Sequence, residues 1–309
     1  MSAAKRSTKR KRAAGDASPA SPAKRTKTLV TGEPLEPSAI EESLTLPESK
    51  ADEQELANVS LHTNRAPLVL AFAVTLLKYT MLSQPLSSRL SLAQAVVSMN
   101  SKTKAISLGI EKGNSAENEG WGQGQPKIRI MGREVSVMKR WGYEWKGNPK
   151  VEEVKAEDSQ ETLKQEEHVS EEPALWGLDL EALRSSNSPL VSGAQGANSS
   201  GLPVYSAESA RAYLLKSFAS IPPATNEPSP KKQSAAALKA EKERNLGLLL
   251  QALDLLYASW AHVSGRDELD RRAWAWYVAV RPEVENGVAG WGGKGEVKLS
   301  QILDLRRKG

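Results

Sequence analysis

The chain contains no cysteine. Disulfides, thiolate zinc sites and cysteine nucleophiles are therefore excluded, and the composition suits a reducing compartment. Aromatic residues make up only 5% and hydrophobic residues 39% of the 309 positions, less than a chain packed throughout requires, so some segments are expected to stay unfolded. Long apolar runs are also missing. The longest, Leu68 to Leu77, is about half the ~20 residues that span a bilayer, and it reads as a buried core helix. The basic, Ser/Ala-rich start has no apolar centre, so neither a secretory signal nor a membrane partner is expected.

Catalytic signatures are equally scarce. The three histidines, His62, His168 and His262, stand at no metal-ligand spacing, and there is no Gly-x-Ser-x-Gly elbow. Gly293-Lys294 is followed by Gly295 where a phosphate-binding loop needs Ser or Thr. Asp267, Glu268 and Asp270 fall in the first turn of an expected helix, where the macrodipole favours carboxylates without any metal. The expectation is a protein that is not an enzyme and holds no cofactor and no metal, with an enzyme of unrecognised site as the remote alternative.

Charge is present in blocks. Residues 1–28 are net +8, 29–60 net −7, 61–150 net +8, 151–172 net −7 and 173–309 net +3. Alternating blocks describe charged linkers between folded units. The first block holds two basic clusters, Lys9-Arg10-Lys11-Arg12 and Lys24, Arg25, Lys27, separated by an eleven-residue spacer. Two clusters so spaced resemble a bipartite nuclear localisation signal, which can fill two acidic grooves of a nuclear import receptor at once. Nuclear localisation is expected. Ser18 and Ser21, each before proline, lie inside the spacer and are candidate phosphorylation sites whose added negative charge would weaken that binding. Ser229-Pro230 is a third.

The pattern predicts an α+β chain, mainly helical, with one small β-hairpin. Residues 1–59 are expected to be a disordered tail, 60–148 a first folded unit, 149–173 an acidic disordered linker and 174–309 a helical unit with loops at about 185–203 and 220–233. In the first unit, Pro67 opens a helix running to about Met81. Leu90, Ala93, Val96 and Val97 mark a second, and Asn100-Ser101 breaks it from a third that ends near Gly109. "KIRIMGREVSVMKRW" then alternates about Gly132-Arg133 as a hairpin does.

Three helices followed by a hairpin resembles the element order of a winged-helix domain; no family motif accompanies it. That resemblance would put Lys102, Thr103 and Lys104 at the start of a recognition helix, with Lys127, Arg129, Arg133, Lys139 and Arg140 on the hairpin, as candidate DNA or RNA contacts. A solvated face or a protein-docking module would use the same residues. Trp141, Tyr143 and Trp145 alternate beside these cations, suited either to stacking on single-stranded bases or to closing a small core.

In the second unit, Trp176, Leu180 and Leu183 share one face of a short segment, a strap on its own domain or a docking motif for a partner. Ser206 caps a helix. Leu246, Leu249, Leu250, Leu253, Leu256, Tyr257 and Trp260 stripe a long one. Ser264 is placed to cap the next, forming an αα-hairpin, and a strand near Val297 precedes a last helix. Two Gly-Trp-Gly stretches, around Trp121 and Trp291, are expected to turn the backbone while the tryptophan plugs a core edge.

The function expected from all this is a nuclear accessory or scaffold protein of a chromatin, DNA-repair or transcription assembly, with unidentified nuclear protein partners. A ribosome-biogenesis or RNA-associated factor is the alternative.

Overall fold

The computed structural model describes residues 36–145, 172–186, 202–221 and 234–308. The basic clusters (Lys9, Arg10, Lys11, Arg12, Lys24, Arg25, Lys27) and the phosphorylation candidates Ser18, Ser21 and Ser229 lie outside them. The fold is mixed: helices with two small antiparallel sheets.

Its centre is α3 (Arg65–Thr80), buried on every side from Pro67 to Leu77, as its nearly continuous apolar sequence requires. α7 (Ala235–Ala261) and α8 (Arg266–Val280), joined by a short turn, both pack on α3 more than on each other. Ser234 caps α7 by accepting from Ala237 N–H, and Ser206 caps α6 (Ala207–Leu215) by accepting from Ser209 N–H. The expected cap at Ser264 is not formed; α8 starts after Gly265, without a side-chain cap.

Sequence signals from 60–148 and from 174–309 meet in one hydrophobic cluster, with Phe72 and Val137 in the same core as Leu249 and Trp276. All described residues belong to one unit, Leu35–Gly309. β1 (Ser60–Asn64) is the middle strand of the first sheet. It lies between β5 (Ala219–Ser220) and β6 (Lys294–Lys298), and α9 (Leu299–Asp304) follows directly. β3 (Arg133–Arg140) is the middle strand of the second, between β2 (Lys127–Ile130) and β4 (Ala174–Gly177).

Further sequence expectations are corrected. First, residues 36–59 do not belong to a disordered tail: α1 (Pro37–Ser43) and α2 (Glu53–Ala57) form, and Leu44 and Leu56 are buried. The acidic composition hid them because Leu44 and Leu56 alone are fully buried there, with Ile40, Leu46 and Val59 packed partly against the core. Between the two helices the chain lies along α7, where Gln251 accepts from Ala51 N–H and donates back to Ala51 C=O. Space at Gly247 is limited: a Cβ there would stand 3.3 Å from the Glu48 carbonyl oxygen, a tight contact that offsets the helix propensity alanine would gain. Gly247→Ala should be nearly neutral. Gly247→Leu should lift the strap and cost about 1–3 kcal/mol in urea denaturation.

Second, there is no break at Asn100-Ser101. α4 (Leu86–Ser107) runs through it, so the element order in this region is two helices and a hairpin. Asn100 is retained in mid-helix by tertiary contact, its Oδ1 accepting from Arg133 Nε at 2.9 Å. Third, Trp176 lies on strand β4 and not on a helix with Leu180 and Leu183, which belong to α5 (Leu180–Ser186).

The hairpin turn is Met131-Gly132, one residue earlier than the alternation suggests. Both residues have positive φ, +49° and +75°. A methionine disfavours that conformation by roughly 1–2 kcal/mol. Two things offset the strain. The Met131 side chain is buried in the core, and Asp270 of α8 accepts from Met131 N–H at 2.5 Å and from Gly132 N–H at 2.8 Å.

Candidate functional site

The end of β3 gathers what the sequence offers for recognition. Register pairs Met138 with Trp176 and Arg140 with Ala174, so Arg140 and Trp176 are diagonal neighbours on one sheet face. Gly142, with φ +70°, then reverses the chain, and Tyr143 returns to meet the same tryptophan. The Tyr143 and Trp176 rings have centroids 5.2 Å apart at 73°. The Arg140 guanidinium lies over both, 5.0 Å from the Tyr143 centroid and 5.4 Å from that of Trp176.

A carboxylate from α1 completes the arrangement. Glu41 accepts from Tyr143 Oη at 2.8 Å and from Ser87 N–H, in the first turn of α4, at 3.0 Å. α4 begins after Pro85 with no side-chain cap of its own, so Glu41 satisfies one of its free donors and complements its positive end. Burial, with the hydrogen bond to Glu41 acting in the same direction, pushes the Tyr143 phenol up to about 12, so it remains a donor at neutral pH. Trp141, beside this group, is 67% exposed.

The other predicted nucleic-acid contacts are spread out and mostly engaged. Lys102, on α4, pairs with Glu111 and lies 3.7 Å from Glu181. Lys127 lies between Glu117 at 3.9 Å and Glu134 at 3.7 Å, and Arg129 is 3.6 Å from Asp270. Arg133 donates to Asn100. Thr103, Lys104 and Lys139 are exposed. Because α4 is continuous, Lys102-Thr103-Lys104 sits in its last turns rather than at a helix start, where cations suit the macrodipole instead of opposing it.

Of the docking candidates, Trp176 is 8% exposed and belongs to the fold, while Leu180 and Leu183 are half-buried. Neither Gly-Trp-Gly tryptophan is part of the core cluster: Trp121 is half-buried and Trp291 is 43% exposed, so the expected plugs are not made. The acidic trio of α8 is split. Glu268 pairs with Arg271 and Arg272 while Asp270 turns inward to the hairpin. Among the described residues no three His, Asp or Glu side chains are grouped to hold a metal. No helix among them is long and apolar enough to cross a membrane.

Sequence reasoning noticed the "RWGYEW" alternation but not its partner Trp176, nor Glu41. Those contacts depend on the pairing of β3 with β4 and on a helix in a segment expected to be unstructured. Comparison with known proteins finds no family model that matches this chain, and no curated protein or solved structure similar to it.

Proposed function

We propose that this chain is a non-enzymatic accessory or scaffold protein of a nuclear chromatin, DNA-repair or transcription assembly, and that it meets a protein partner at the end of β3. The observation that carries the reading is Trp141, two-thirds exposed between Arg140 and Gly142. Tryptophan and arginine are the side chains that most often anchor protein interfaces. The two N-terminal basic clusters supply the route to the nucleus.

A winged-helix mode of DNA reading lacks support, because the second and third helices it needs are one continuous helix here. The RNA-associated alternative has its main support in the basic tail, since four of the seven candidate cations of the folded part, Lys102, Lys127, Arg129 and Arg133, already face carboxylates or an amide.

The test compares tagged full-length protein and Trp141→Ala, recovered from nuclei at moderate salt with bound proteins quantified. Because Trp141 is mainly in solvent, the variant should keep its melting temperature while recovered partner falls at least about tenfold, as for an interface anchor of roughly 1.4 kcal/mol or more. Equal recovery by both proteins would sink the docking reading. Binding that depends on nucleic acid and collapses steeply with salt would favour the RNA alternative.

A further inference from the structure

We propose that Tyr143 and Trp176 form a two-walled box for an alkylated ammonium group, a methylated lysine side chain of the partner protein, and that Arg140 occupies it in the free protein. The inference rests on the docking reading above and names the chemistry recognised there.

Two rings at 73° with one cation about 5 Å from both centroids is the geometry in which aromatic quadrupoles act together on a positive charge. The cation present is the chain's own. The Arg140 guanidinium has no ion pair or hydrogen bond among the described residues, unlike Lys102, Lys127, Arg129 and Arg133. Its residue is exposed, at a strand end next to a turn. It is held by ring faces only, so another cation can replace it without orphaning a carboxylate.

The walls choose among occupants. A primary ammonium brings three strongly hydrated donors and would find aromatic carbon in place of acceptors. Glu41, the carboxylate at this group, already accepts from Tyr143 and from Ser87. Methylation removes the donors and keeps the charge, which suits a box of this composition. A nucleobase stacks flat on one ring, and perpendicular walls leave no plane parallel to both. The hydrogen bond from Tyr143 to Glu41 adds to the effect, because a phenol donating to a carboxylate presents a more electron-rich face.

The experiment uses full-length protein and two probes, the amides of Nε-trimethyl-lysine and of unmodified lysine, followed by tryptophan fluorescence and calorimetry. Wild type should bind the trimethylated probe on the order of millimolar, as a cation desolvated against two rings supports, and unmodified lysine at least tenfold more weakly. Arg140→Ala, which removes the internal competitor, should bind it roughly two- to fivefold tighter. Tyr143→Leu should lose the response while thermal unfolding shows it folded.

The proposal fails if neither wild type nor Arg140→Ala distinguishes the two probes, or if Tyr143→Leu binds as wild type does. It fails equally if a single-stranded oligonucleotide, and not the trimethylated probe, gives the Tyr143-dependent response. Partner capture that still depends on Trp141 when probe binding is absent would remove the box alone. Probe binding with partner capture indifferent to Trp141 would remove the docking reading instead.

Discussion

Tyr257→Ala should destabilise the fold by about 4 kcal/mol, the range for removing a fully buried aromatic ring. Tyr257 has no exposed surface, and its ring joins the central helix to the long C-terminal ones. It stands edge-on to Phe72 (6.5 Å, 75°) and to Trp276 (5.6 Å, 69°) and stacks on Tyr79 (5.9 Å). Its hydroxyl donates to the Phe72 carbonyl at 3.2 Å, and burial, with the Asp270 carboxylate nearby, holds the phenol well above its ordinary pKa. Tyr257→Phe isolates that hydroxyl and should cost only about 1 kcal/mol. Urea denaturation of both variants separates ring from hydroxyl. A loss from Tyr257→Ala of no more than the Phe variant's would mean that the ring does not hold α3, α7 and α8 together.

Asp270→Ala should cost about 3 kcal/mol, for a different reason. The side chain is mostly buried, and truncation strips the acceptor from two backbone N–H groups at the hairpin turn, both with positive φ and one of them the strained Met131. Asp270→Asn keeps a single carbonyl oxygen and should fall between the two. The local signature is as informative as the total. Hydrogen exchange at Met131 and Gly132 should rise more than exchange in α3, because the turn loses its anchor before the core does. Uniform acceleration across the chain would instead mean that Asp270 supports the core generally and not the turn.

Much of the helical skeleton was legible because its signals are local. Ser206 is a cap, Pro67 sits in a first turn, and the leucine stripe of α7 is long enough to show its period. The hairpin alternation was legible for the same reason. What stayed hidden depends on residues far apart in sequence. Asn100 looks like a helix stop until Arg133 is seen to satisfy it, and Met131-Gly132 looks like a poor turn until Asp270 is seen to grip it. Leu44 and Leu56 are isolated leucines in an acidic stretch, and only the distant elements that α1 and α2 meet, α4 and α9, make burying them worthwhile. The site shows the same division. Arg140, Trp141 and Tyr143 announce themselves together, but Trp176 and Glu41 reach them through a strand register and a helix cap that no local window contains.

The pairing of β1 with β6 has a consequence for how the molecule is made. Ser60 faces Lys298 and Asn64 faces Lys294, so the middle strand of that sheet gains its long partner only after residues 294–298 have been synthesised. Until then one side of β1 is an unsatisfied strand edge, held beside a largely apolar α3 that emerges from the ribosome immediately after it. Contacts closed over such a separation form slowly, and a nascent chain exposing both features is prone to associate with its neighbours. Translation therefore sets the order of assembly: the most hydrophobic helix is made well before the strand that seals the sheet beside it.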